Sequence, residues 1–236
     1  MNRLGLAVFF VCLAAAFAPS SQAGQNDAPL GTIRGRVRLS RTRPASIPVR
    51  MDTDPVCAQL FTIHPTLDQS VVAGNDGGLA NAFVKLNGTF AQTPVPAQPV
   101  VLDQRDCFFA PRVMGARVGQ VLRILNSDHT FHNVHSMTTR SNAFNIGQPI
   151  VGARTDFRLK DEEMLHITCD VHKWMTAYIG VVNHSFFAVT RAEGTFEMLR
   201  VPPGTYTIEV WHERLGTTSK PVRVRAGEIA VIDLPY

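Results

Sequence analysis

Four residues carry donor atoms of the kind that hold a redox metal. Cys169, His172 and Met175 stand three apart in Cys169-Asp170-Val171-His172-Lys173-Trp174-Met175, and His132 lies upstream in Phe131-His132-Asn133-Val134-His135. A thiolate, two imidazoles and a thioether suit copper in both oxidation states. Sulfur favours Cu(I), nitrogen accepts Cu(II), and a trigonal Cys/His/His plane with a weak axial Met spans the two. A continuous strand would throw alternate side chains to opposite faces, so the spacing calls for a strand ending near Cys169 and a tight loop that turns His172 and Met175 to the same point.

The elements that must position these residues are legible in the periodicity. Leu165, Ile167 and Cys169 share one face of a strand while Met164, His166 and Thr168 share the other, so Cys169 points into a core. By the same parity His132 lies with apolar Val134, and His135 with Asn133 on the opposite face. His132 is therefore assigned as a ligand and His135 is not. The competing reading is packing, because a cysteine near a histidine is commonly core filling and a methionine adapts to irregular gaps. Four suitable residue types at one spacing and on matching faces favour the metal.

From Asp103 to Val182 the chain resembles a cupredoxin, most of all the amicyanin and pseudoazurin type, which closes its copper loop with the same Cys-x2-His-x2-Met spacing. The run His132-Asn133-Val134-His135 matches the amicyanin pattern at the first ligand, and Phe109-Ala110-Pro111, Val118-Gly119-Gln120-Val121 and Asn126 are similar to the family's opening strands. Lys173 departs from the pattern, standing where relatives often carry Pro. The resemblance implies a Greek-key β-sandwich with one type 1 (blue) copper held by His132, Cys169, His172 and Met175.

Length and composition fit this reading. The 236 residues, 45% hydrophobic and 18% charged, suffice for one large or two small globular domains. Arg3, the apolar run from Leu4 to Ala18 and the small-residue site Ser21-Gln22-Ala23 read as a secretory signal peptide, residues 1–23, leaving a periplasmic or secreted protein with no membrane span after cleavage. Of the 4 cysteines, Cys12 lies inside that signal. If a metal holds Cys169 as thiolate, Cys57 and Cys107 remain to form a disulfide; two unpaired buried cysteines are the alternative. The formal net charge of +4 falls by one when Arg3 leaves with the signal, too little for a nucleic-acid binder. Arg34, Arg36, Arg38, Arg41 and Arg43 form a local basic run, read as a solvated face, with a docking patch for an acidic partner as the sharper reading.

A second unit brackets the first. Gly194-Thr195-Phe196, Val201-Pro202-Pro203-Gly204 and Tyr206 resemble a carboxypeptidase-regulatory-like (transthyretin-like) sandwich, and that family's opening Gly-x-Val and Ala-x-Val strands occur far upstream at Gly35-Arg36-Val37 and Ala82-Phe83-Val84. The expected all-β organisation is thus 24–98 as the first half of this sandwich, 99–183 as the cupredoxin-like copper domain, and 184–236 as the second half. The stretch around Cys57 and His64 reads as irregular, and Trp211-His212-Glu213 as a strand-end turn with His212 in water, like His129 and His184.

No phosphate-cradling glycine loop, catalytic triad or supported carboxylate pair is visible, so no enzyme activity is expected. The leading expectation is single-electron transfer between redox partners such as a cytochrome or a dehydrogenase. The alternatives are a copper carrier without redox shuttling and a cell-envelope scaffold or adhesion protein with structural copper. His172, mid-loop between Asp170 and Lys173, is expected to expose an imidazole edge through which electrons pass.

Overall fold

The computed structural model describes residues 28–236, so the signal-peptide reading of residues 1–23 lies outside the described part. The order of elements begins β1 (Gly31–Arg38), α1 (Pro55–Ile63) and β2 (Phe83–Asn87). Nine strands follow without a helix: β3 (Val100–Arg105), β4 (Phe108–Ala110), β5 (Val113–Arg117), β6 (Val121–Asn126), β7 (His132–Ser136), β8 (Asn145–Gln148), β9 (Arg154–Arg158), β10 (Glu163–Thr168) and β11 (Thr176–Val182). The chain closes with β12 (Phe187–Val189), β13 (Thr195–Val201), β14 (Gly204–His212), β15 (Gly216–Val224) and β16 (Ile229–Pro235). Apart from the one helix the described fold is all-β, built as a β-sandwich of nine strands and a second, smaller sandwich.

In the first sandwich the five-stranded sheet β5-β11-β10-β7-β8 faces the four-stranded sheet β4-β3-β6-β9. Alternation along the strands makes the core: Leu122 and Ile124 of β6, Leu165 and Ile167 of β10, and Ala177 and Ile179 of β11 all point into one buried cluster that also holds Val134, Cys169 and Met175. β10 and β11 form an antiparallel hairpin from Glu163↔Val181 to Thr168↔Thr176, and its turn is the Cys169–Met175 loop. β7 lies against the other edge of β10, with His135 opposite Thr168, which brings the His132 strand beside the residue preceding Cys169.

The second sandwich draws strands from both ends of the chain. β1 is the centre of the three-stranded sheet β13-β1-β16, antiparallel to β13 and parallel to β16, and β2 sits between β12 and β14 in the sheet β12-β2-β14-β15. Ile33 and Val37 from β1, Val84 and Leu86 from β2, and Phe196, Ile208, Val210 and Ile232 from the far end share one core. The outward arginines of β1 are used locally: Arg34 pairs with Glu197, Arg36 with Asp76, and Arg38 with Asp233. These pairs favour the solvated-face reading over a patch reserved for a partner.

The two sandwiches touch through aromatic rings laid on glycines. A β-carbon at Gly180 would collide with the ring of Phe83, and one at Gly115 with the ring of Phe187, so the absence of side chains there lets β2 and β12 sit against β11 and β5. Arg112 and Glu213 clasp the edge of this contact with two hydrogen bonds of 2.5 and 2.8 Å, and Trp211 tilts against Tyr178 at 4.9 Å.

Three local readings need correction. The stretch around Cys57 is a helix, started by Asp54, whose carboxylate accepts from the N–H groups of Val56 and Cys57, with Pro55 in the first turn where its missing N–H costs nothing. Asp-Pro was the available signal, hidden by the weak amphipathicity of so short a segment. His212, expected in water, is 1% exposed because the last residues of β14 pair with β15 and its ring lies near that of Tyr236; His184 is buried as well.

Deleting Gly31–Arg38 should abolish cooperative unfolding of the C-terminal strands, because β13 and β16 would lose the strand that joins them. Trp211 fluorescence in a Trp174→Phe background reads this out, and an unchanged transition would contradict it. His212 supplies a pH test: burial first, and the nearby Arg112 charge second, push its pKa from 6.5 to about 4. As pH falls through 6.5 the unfolded chain takes up a proton that the folded chain refuses until about 4. Stability is therefore full above 6.5 and declines across that window by about 3 kcal/mol. Urea midpoints at pH 7 and 4.5 should differ less in His212→Gln than in wild type; equal differences would remove this role.

Candidate metal centre

The sequence-assigned residues meet at one end of the first sandwich. His132, the first residue of β7, and His172, in the hairpin loop, are both fully buried, and their Nδ1 atoms face each other at 2.9 Å. Cys169 Sγ lies 3.7 Å from His172 Nδ1, and the donor atoms of His132, Cys169 and His172 all fall within 4.8 Å of one another. Met175 is fully buried in the same core cluster as Cys169. The loop between them closes on itself: the Met175 N–H donates to the His172 carbonyl at 2.9 Å, and the His172 N–H to Cys169 Sγ at 3.4 Å. His135 lies on the outer side, where its Nδ1 is 3.1 Å from an Asp170 carboxylate oxygen.

The pocket favours an ionised sulfur. Burial raises the Cys169 thiol, but hydrogen bonds from His132 and His172 outweigh it and bring the group from 9.0 to about 5. Burial likewise disfavours a charged His132, yet its bonds with Asp128 and Cys169 carry it from 6.5 up to about 9. Both shifts run toward a thiolate beside an imidazolium, a separation of charge that a cation at the same point can replace.

Three residues that sequence reasoning passed over hold this set in place. Asp128 accepts from His132 Nε2 at 2.9 Å and from the N–H groups of Asp106 and Cys107 at 2.8 and 2.9 Å. Those two residues form a turn with φ of 55° and 58°, a left-handed conformation that non-glycine residues adopt at a cost. Asn133 Oδ1 lies 3.3 Å from Cys169 Sγ and accepts from the Asp170 N–H at 2.6 Å, and its amide donates to Asp170 Oδ2 at 2.8 Å. Asp54, the helix cap, places Oδ2 3.5 Å from His172 Nε2. Each sits beside a sequence cue, an Asp-Pro step, an Asn126-Ser127-Asp128 turn and an Asn next to a histidine, but no periodicity ties any of them to the loop.

His172 departs from expectation in one respect. Its outer edge is covered by Asp54, by Cys57 Sγ at 3.9 Å and by the Trp174 ring at 5.0 Å, and no part of the residue reaches solvent. The cause is the helix α1, which the Cys57–Cys107 disulfide fastens over the loop. Electron passage through an exposed His172 edge is therefore abandoned.

No family model and no curated sequence matches the chain. Among solved structures it is similar over part of its length to a copper-containing nitrite reductase from Thermus scotoductus SA-01, at 18% identity over 41% of this chain and 25% of that one, with a TM-score of 0.32. It is similar to a purple cupredoxin from Nitrosopumilus maritimus at 20% identity over 34% of this chain and 95% of that one, with a TM-score of 0.31. A reduced amicyanin variant aligns at 17% identity over 42% of this chain and 97% of that one, with a TM-score of 0.32. The chain thus spans about a quarter of the reductase, and these likenesses concern chain trace alone.

Asp128→Ala should cost about 2–4 kcal/mol, since it takes the acceptor from the Asp106 N–H, the buried Cys107 N–H and the buried His132 imidazole. Asp128→Asn, which keeps one acceptor oxygen, should cost less. Urea denaturation decides it, and a loss under about 1 kcal/mol for the alanine variant would show the turn to be held by other contacts.

Proposed function

We propose that this protein is an exported type 1 copper protein, not an enzyme, that carries single electrons between redox partners. One copper per chain would be held by His132, Cys169, His172 and Met175. The carrying observation is the meeting of a buried thiol and two imidazole Nδ1 atoms at one buried point. The donor set fits copper: thiolate and thioether suit Cu(I), imidazole suits Cu(II), and neither state needs a ligand from solvent. Copper, when bound, supplies the one-electron couple.

The chain's own residues do the rest. Asp128 and Asp54 fix the far nitrogens of the two imidazoles, so that both Nδ1 atoms turn inward. Asn133 holds Cys169 and Asp170 in register, and the β10–β11 hairpin keeps Met175 against the core. A site held this firmly changes little between oxidation states, which is what rapid electron exchange asks of it. With His172 sealed, the lead from the thiolate toward a partner runs along the backbone to the exposed face made by Asp170 and Val171. A partner such as a cytochrome or a dehydrogenase in the periplasm or outside the cell fits that face.

We also infer that residues 24–98 and 184–236 form one split sandwich into which the copper-binding unit, residues 99–183, is inserted; the pairing of β1 with β13 and β16 supports this reading.

Adding Cu(II) to the apo protein should produce an intense thiolate-to-copper absorption band with a stoichiometry of one, a reversible potential, and loss of the band in Cys169→Ser. A colourless wild type, or a band that survives in Cys169→Ser, would overturn the assignment. A band with no reversible potential would leave a carrier of the metal rather than of electrons.

A further inference from the structure

Behind His172, on the side away from Cys169, a second group of donor atoms meets. Asp54 Oδ2 lies 3.5 Å and Cys57 Sγ 3.9 Å from His172 Nε2, and the donor atoms of all three residues fall within 4.8 Å of one another. Cys107 Sγ is bonded to Cys57 Sγ at 2.06 Å and lies in a neighbouring group with Asp128 and His132. Both sulfurs and the imidazole are fully buried.

We propose that Cys57 and Cys107, once reduced, complete a second metal site with Asp54 and His172 Nε2, for a tetrahedral ion of the Zn(II) kind. Two thiolates, an imidazole and a carboxylate are the donors such an ion takes at closed sites. Ordinary bond lengths to zinc put the edges of that tetrahedron at about 3.6 Å for sulfur to nitrogen and about 3.4 Å for nitrogen to oxygen. The observed separations, 3.9 and 3.5 Å, are close to these before any ion draws the groups together. Cys57 stands in the first turn of α1, whose positive end favours negative charge there.

In the disulfide each sulfur's bonding capacity goes to the other, so the site is shut. Opening it takes two electrons and two protons from a dithiol reductant: the S–S bond breaks, Cys57 and Cys107 become thiols, and the reductant leaves as its own disulfide. The incoming ion then displaces the two thiol protons. A cavity of about 290 Å³, lined by Met51, Leu60, Phe61, His64, Thr66 and Asp106, adjoins the apolar cluster around the disulfide.

His172 faces both sites, with Nδ1 toward Cys169 and Nε2 toward Cys57. An imidazole takes an ion on each nitrogen only after losing its last ring proton. Filling one site therefore weakens the other, and thiol reduction becomes a means of drawing His172 away from the first.

The test uses the full chain with Cys169→Ser, which removes the first site's thiolate, and Zn(II) alone as probe. Calorimetry on the dithiol form should show one ion bound at least 100-fold more tightly than by the disulfide form, with release of protons. The ion should also protect Cys57 and Cys107 from alkylation in peptide maps, both in this variant and in the wild-type chain. Adding Cys57→Ser should abolish the tight binding. Equal affinity in the two forms, tight binding that survives Cys57→Ser, or a dithiol form whose near-ultraviolet dichroism is lost would each overturn the proposal. A wild type that never colours with Cu(II) would leave these results standing, so failure of the electron-carrier reading shows separately.

Discussion

Everything near the candidate centre depends on holding two imidazoles and a sulfur in contact away from water. Left to themselves, His132 and His172 would each turn a nitrogen outward to be solvated, because burying an unpartnered polar group costs several times what a net hydrogen bond contributes. The chain prevents this by giving each ring a carboxylate on its far side, Asp128 for one and Asp54 for the other. The near nitrogens then have nowhere to point but at each other and at Cys169.

That constraint explains the architecture around the loop. Asp128 can reach His132 only because Asn126 braces the turn before it, its amide donating to the carbonyls of Thr130 and Gln148. Asp54 can reach His172 only because α1 is brought over the sandwich end by the Cys57–Cys107 bond and by Thr130, whose hydroxyl donates to Asp54. The helix thus works as a clamp on the Cys169–Met175 loop rather than as part of either core.

How much of this was legible in the sequence follows from the range of each signal. Strand periodicity is local, so the faces of β10 and β1, the orientation of Cys169 and the outward position of His135 could be read directly. Cysteine arithmetic is non-local but small, and it led to the disulfide. The helix at Pro55 was missed because nine residues with one buried side chain carry little periodicity. The burial of His172 and His212 was missed for a different reason. Each is enclosed by residues distant in sequence, Asp54 and Cys57 for the first and the β14–β15 pairing near Tyr236 for the second, and a loop or strand-end position says nothing of what will later cover it.

The place of β1 gives the molecule an order of assembly. It is the first of the described strands to be made, yet its partners, β13 and β16, are among the last. Until they emerge, Ile33 and Val37 have no core to enter, and the open edges of β1 are free to pair with any extended chain nearby. The intervening β3–β11 unit needs neither end for its own sheets. Folding of that unit first would carry β2 and β12 to the same side, turning a closure across most of the chain into a short search. The alternating arginines on β1 then have a purpose during this wait that the finished fold hides: they keep a solitary strand soluble and unattractive to its copies.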